Sequence, residues 1–247
     1  MRSRGMSTPE NGVIERTVEA LRRRGFHADY VDTGDLAVAR IVELVPPGAA
    51  VGIGDSTTLQ QLGAIAALES RGHPVVNPFD KKMLPSKGNP ADLELLLRES
   101  LRRDVFLTGA NAVTECGCIV SVDGAGNRVA GMVFGAPRVI LAIGRNKIVR
   151  DLEAAFARLK KVICPRHAAN RGFRTPCALN GECSDCRSPE RICNAITILQ
   201  GKPMRTDTWV VLIGEDLGLG WDPEWPPERI ERVWRNYVAH CWRPNLH

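Results

Sequence analysis

The run PRVILAIG, Pro137–Gly144, decides the fold class. Val139 to Ile143 is apolar without a break. A strand with one wet face would alternate, so an uninterrupted run predicts a strand in a sheet covered on both sides. Asn146 and Lys147 follow it, and Leu152, Phe156 and Leu159 repeat at helical spacing behind them. Upstream, DVFLTGANAVT gives a strand and a turn, GCIVSV a strand, and DGAGNRV a hairpin-like turn with two glycines. Downstream, TDTWVVLIGEDLG supplies another buried strand.

The same alternation runs through the first half of the chain. Thr8 is placed to cap a helix with Pro9 at its first position, Ile14, Val18 and Leu21 as its stripe, and Gly25 at its exit. A second helix is expected over Leu36 to Leu44, closed by Pro46-Pro47-Gly48. AAVGIG is a short buried strand, and Leu59, Leu62, Ile65 and Ala66 place a helix after it, stopped by Gly72. HPVVNPF is a strand leaving into the loop DKKMLPSKGN, and Asn89-Pro90 opens a helix striped by Leu93, Leu96, Leu97 and Leu101. Pro226-Pro227 begins a last helix with Ile230, Val233, Trp234, Tyr237 and Cys241 on one face. Strands alternating with helices argue for an α/β domain with a mainly parallel sheet flanked by helices. The segment Cys164 to Pro203 resists that reading, being rich in Cys, Arg, Pro and Asn and poor in periodicity. A loop of that length is functional or is held by something other than a core.

The chain has 247 residues, 44% hydrophobic and 25% charged, which suits one large domain spanning residues 1–247 with a helical tail over 221–247. The formal charge is +5, with bases and acids interleaved, and aromatic residues make up 5%. That is an ordinary surface or a pocket for acidic metabolites, not a nucleic-acid stripe or a base-stacking platform. No apolar run approaches the roughly 18 residues of a membrane span, and the first residues lack the apolar segment of a secretion signal. The expected setting is the cytoplasm, away from membranes.

Two groups of residues suggest a site. In VGIGDSTTLQQLG, Val51–Gly63, Gly52 and Gly54 would let the backbone approach a ligand, and Ser56, Thr57 and Thr58 offer hydroxyls at a strand-to-helix turn, where anions collect. It is neither a Walker loop nor a dinucleotide fingerprint, and the same residues suit a plain turn. Asp55 would repel an anion unless a donor holds it. The second group, Asn111, Thr114, Glu115, Asp123, Asn127, Arg128, Asn146 and Lys147, flanks buried strands as caps or pocket lining. Lys147 is the candidate to contact an acidic ligand.

Four of the eight cysteines form Cys177-x5-Cys183-x2-Cys186-x6-Cys193. In a reducing setting this favours a metal site over disulfides. Four thiolates suit Zn²⁺ or a [4Fe–4S] cluster, although the spacing matches neither common ferredoxin pattern, and Cys164 could replace one ligand. Cys116 and Cys118 are expected as small buried residues on a turn and a strand, and Cys241 as core. His167 is a weak ligand candidate. Trp221, Trp225 and Trp242 suit either a partner interface or an anchor for the last helix.

VGIGDSTTLQQLG, the segment Phe106–Val149 and TPCALNGECSDCRSPERIC, Thr175–Cys193, together resemble the lactate-utilisation (LUD) domain family, over about Val13 to Gly218. The resemblance implies a fold like ribose-5-phosphate isomerase and the CoA transferases. It also implies a part in an oxidoreductase system that converts lactate to pyruvate with separate iron–sulfur proteins. In that wider superfamily a loop like Gly52 to Thr58 grips a phosphate or CoA-derived group. Asn111 stands where related isomerases carry a catalytic aspartate, and an amide cannot act as a base. Glu115, Asp123 and Lys147 remain as catalytic candidates. The resulting expectation is a protein that binds a small anionic metabolite at Gly52, Gly54, Ser56, Thr57, Thr58, Asn111, Asn127, Arg128, Asn146 and Lys147 and carries a four-cysteine iron–sulfur or zinc site. A non-catalytic assembly or regulatory subunit, and a transferase or isomerase for a phosphorylated or thioester substrate, are the alternatives. A homodimer is compatible with each.

Overall fold

The computed structural model describes residues 9–80, 83 and 90–242. The expected Thr8 cap and Asn89 helix start lie outside them.

Helix α1 (Pro9–Arg23) leads into strand β1 (His27–Val31), followed by α2 (Gly34–Leu44) and β2 (Val51–Ile53). The expected helix after β2 is split into α3 (Thr57–Leu62) and α4 (Ala64–Ser70), because Gly63 turns left-handed at φ 67° between them. Next come β3 (Val75–Val76), α5 (Pro90–Ser100), β4 (Val105–Gly109), β5 (Ala112–Thr114) and β6 (Ile119–Asp123). The second half holds α6 (Asn127–Ala130), β7 (Arg138–Gly144), β8 (Ile148–Val149), α7 (Leu152–Arg158), α8 (Cys164–Arg171) and α9 (Pro176–Asn180). The chain ends with β9 (Ala195–Leu199), β10 (Asp207–Ile213) and α10 (Pro227–His240).

The main sheet has the order β1-β10-β7-β4-β2-β3, with every pairing parallel. β7 lies inside it, with Val139 to Ile143 fully buried, as its apolar run requires. One face packs Ile41, Leu59 and Leu68 against Ile140 and Val211; the other packs Leu21, Met132 and Ile119 against Leu141 and Leu212. A second sheet, β8-β5-β6-β9, joins antiparallel strands to the parallel β5–β8 pair. A third apolar cluster covers it, built from Leu159 and Val162 with Trp221, Val233 and Tyr237.

Two expectations are corrected. Cys164 to Pro203 is not one long loop: it contains α8, α9 and β9, and α8 continues α7 through a π turn at Leu159–Ile163. Pro165 sits in the first turn of α8, directly after that wide turn, where a missing N–H is tolerated. DGAGNRV does not form a hairpin but starts α6. The Asp123 carboxylate accepts from the N–H groups of Ala125, Gly126, Arg128 and Val129, which fixes the helix entry. Of the two readings for the tryptophans, Trp221 and Trp225 follow the anchor: Trp221 is buried edge-on to Trp234, and the Trp225 ring lies under Arg229 at 3.6 Å. They anchor α10.

Candidate functional site

β7, β4 and β2 are neighbours, and the chain leaves all three at the same edge of the sheet. Ligands collect at the carboxyl ends of parallel strands because the turns into the next elements leave room there. A cavity of about 300 Å³ lies at this edge, lined by Asp55, Ser56 and Thr57 after β2, Gly109 at the end of β4 and Asn111 beyond it, and Lys147 after β7. The second sheet adds Val122 and Asp123, α6 adds Asn127 and Arg128, and α8 and α10 close it with His167, Arg171 and Tyr237.

The structure thus brings Ser56, Thr57, Asn111, Asp123, Asn127, Arg128 and Lys147 together around one space. Gly52, Gly54, Thr58, Asn146 and Glu115 are not among its lining residues. The two glycines serve packing instead of ligand approach. A Cβ on Gly52 would fall 1.8 Å from the Ser100 carbonyl oxygen, and one on Gly54 would fall 2.7 Å from Thr108 Oγ1. Asn146 is fully buried and structural, accepting from Leu217 N–H and donating to the Gly220 carbonyl, both at 2.9 Å. Glu115 pairs with Arg16 at 3.2 Å. Thr58 acts at one remove, accepting a hydrogen bond from Lys147 Nζ at 3.0 Å.

The cationic side chains Arg128, Lys147 and Arg171 face the cavity with two carboxylates, Asp55 and Asp123. Both carboxylates are committed. Asp123 holds the α6 turn, and Asp55 binds Arg171 Nη1 at 2.8 Å. That pairing answers the objection that Asp55 would repel an anion. Arg128 is committed too, donating to the carbonyls of Gly109 and Val122 at 3.0 and 2.6 Å and to Asn111 Oδ1 at 2.8 Å.

Lys147 differs. It is buried and makes no ion pair among the described residues. Desolvation, and then the nearby Arg128, push its pKa down to about 7. An amine with that pKa exists in both forms near neutrality, so it can hold an anion or accept a proton. Among the buried donors that find no acceptor among the described residues, two belong to residues of this site, Arg171 Nε and Trp242 Nε1. Both residues line the cavity, with the Arg171 guanidinium 4.5 Å from the Trp242 ring centre. Buried polar groups are normally satisfied, so donors left open at a cavity point to a ligand.

His167 contacts the Tyr237 hydroxyl through Nδ1, and the Cys241 thiol donates to the same hydroxyl at 3.1 Å. The phenol proton then turns to Nδ1, which leaves the imidazole proton on Nε2. Burial, followed by Arg171, lowers the His167 pKa to about 4, so the ring is neutral at pH 7. Burial raises the Tyr237 hydroxyl.

Comparison with known proteins is decisive at the level of family. The LUD domain family model matches residues 14–213, most of the chain. The chain belongs to the LUD domain family. It is therefore a lactate-utilisation-associated protein. A solved structure described as a DUF162 family protein from Deinococcus radiodurans is similar, with 15% identity over 84% of this chain and 99% of that chain, at a TM-score of 0.48. No curated protein gives a significant match.

His167, Arg171, Tyr237 and Trp242 were not legible as site residues of this LUD domain, because no spacing joins them to the β2 loop. One usable signal was Asp55, a carboxylate in an anion loop that calls for a cationic partner. The cysteines of the 177–193 segment are unbonded, with Cys177 buried and Cys183, Cys186 and Cys193 partly exposed. Among the described residues no three Cys, His, Asp or Glu side chains are grouped to hold a metal ion. No helix among those residues is long and apolar enough to cross a membrane.

Proposed function

We propose that this LUD domain binds a small 2-hydroxy or 2-oxo carboxylate in the cavity at the ends of β2, β4 and β7. The observation that carries this reading is Lys147, hydrogen-bonded to Thr58 but in no ion pair among the described residues, in one cavity with the Arg171 and Trp242 donors that find no acceptor among those residues. A carboxylate would satisfy these groups without displacing Asp55 or Asp123. Leu93, Leu97 and Ile163, which also line the space, suit the short carbon chain. The volume is at the lower end for ligand cavities, as a small metabolite requires.

Calorimetric titration with lactate, pyruvate and inorganic phosphate between about pH 6 and 9 tests the reading. Saturable carboxylate binding is expected, strongest below about pH 7, where Lys147 is charged. Above that pH, affinity should fall by up to about tenfold per unit as the ammonium is lost. No carboxylate binding, or affinity independent of pH across that range, would overturn the proposal. Preferential phosphate binding would move the assignment toward a sugar-phosphate or thioester substrate.

A second reading keeps a zinc or iron–sulfur site in the cysteine segment. Cys164 and Cys193 pack in one cluster, and the sulfurs of Cys193, Cys177 and Cys183 are close enough to reinforce the effect of burial, which raises the Cys164 thiol to about 12. As folded, the segment does not surround a metal, so the reading requires the cysteines to draw in around it. Anaerobic purification with metal and sulfide analysis decides it. Bound metal lost in Cys183→Ser is the expected result, and metal-free protein, or metal retained in that variant, removes the reading.

A further inference from the structure

The turn between β5 and β6 reads Glu115-Cys116-Gly117-Cys118, and neither cysteine lines the cavity. Instead of two buried residues, as expected from the sequence, the pair consists of an exposed Cys116 and a buried Cys118. Their sulfurs stand 4.0 Å apart. Gly117 takes φ 86°, and a Cβ there would lie 2.7 Å from the Ala20 carbonyl carbon, so the turn is pressed against α1. Thr114 Oγ1 sits 3.1 Å from Cys116 Sγ and accepts from the Cys118 N–H at 2.9 Å. Arg24 donates from Nε to the Cys116 carbonyl. These contacts fix both cysteines in one tight turn, with one thiol outside and the other just behind it.

We propose that Cys116 and Cys118 are a redox-active dithiol that forms a reversible intramolecular disulfide by exchange with a low-molecular-weight disulfide of the glutathione class. The Cys116 thiolate attacks one sulfur of the small disulfide, whose S–S bond breaks and releases one thiol. Cys118 then gives up its proton and attacks Cys116 Sγ, breaking the mixed disulfide and releasing the second thiol. Two electrons and two protons pass from the cysteine pair to the small disulfide. The sulfurs close from 4.0 Å to a bond of about 2.0 Å, within reach of side-chain rotation about two turn residues separated by Gly117. The division of roles follows exposure, since attack requires access. The electrostatics agree: the Thr114 hydrogen bond, as the largest influence, lowers the Cys116 thiol, while burial raises Cys118.

The full chain is incubated with glutathione disulfide, trapped with an alkylating agent, and mapped by peptide mass spectrometry. In the wild type the peptide holding both cysteines should lose two hydrogens and carry no glutathione. Cys118→Ser should retain glutathione on Cys116. In Cys116→Ser, Cys118 should take up glutathione at least about tenfold more slowly than Cys116 does in Cys118→Ser. A wild-type pair that stays reduced, a wild type that accumulates glutathione without an internal bond, or a Cys118 that reacts as fast as Cys116 would each overturn the proposal.

Discussion

Replacing Lys147 with methionine is expected to stabilise the protein and to abolish carboxylate binding. The ammonium is buried, its one hydrogen bond goes to a neutral hydroxyl, and desolvation is the main cause of its lowered pKa. A charge held this way is a cost to folding, and methionine fills the same irregular space without it. The folded pKa of about 7 lies below the roughly 10.4 of an unfolded lysine. Between those values the unfolded chain binds the extra proton, so wild-type stability rises with pH through that window and is lowest below about pH 7. The gain in Lys147→Met should therefore be greatest below pH 7, on the order of 1–2 kcal/mol after the loss of the Thr58 contact, and should shrink toward pH 10. Urea unfolding at about pH 6 and 9, with calorimetry on the same samples, measures both effects. A variant less stable at pH 6, or one that binds the carboxylate as well as wild type, would show that Lys147 is a structural cation.

Arg128→Met should have the opposite sign. Arg128 is only part-buried, but its guanidinium holds two carbonyls and the Asn111 side chain and joins the ends of β4 and β6 to α6. Removing it strands three acceptors beside the Asp123 carboxylate, a change that typically costs about 3–5 kcal/mol. The midpoint of urea unfolding should drop accordingly. Arg128→Lys should recover only part of the loss, because an ammonium cannot reproduce the planar fork. Wild-type stability in Arg128→Met would mean that these hydrogen bonds contribute little and that Arg128 is available to a ligand.

The contrast between these two cations shows where sequence reasoning stops. Both follow polar turns behind buried strands, and both look like pocket residues. Which one is spent on the fold depends on where the carbonyls of Gly109 and Val122 fall, and that is set by the switch of the chain from one sheet to the other. The anion loop has a similar history. Its glycines read as ligand-approach residues, yet Gly52 and Gly54 are required by Ser100, Phe106 and Thr108, while Ser56 and Thr57 do reach the cavity. Strands β1 and β9 were missed because HADYV and AITIL are short edge segments, the second hidden behind the cysteines. Their pairing comes from neighbouring strands and not from a local pattern.

Local patterning was enough to determine the parallel α/β architecture and the strand–helix order through β2, β4, β7 and β10, while the family was legible only as a resemblance of motifs. Continuous apolar runs and helical stripes record which faces must leave water, and that information is carried by residues close in the chain. The closing of the site was decided only by tertiary structure. Arg171 reaches Asp55 across 116 residues, and His167 reaches Tyr237 across 70. The lowered pKa of Lys147 likewise comes from burial by elements distant in sequence. Desolvation and ion pairing depend on distances in space, which no spacing along the chain encodes.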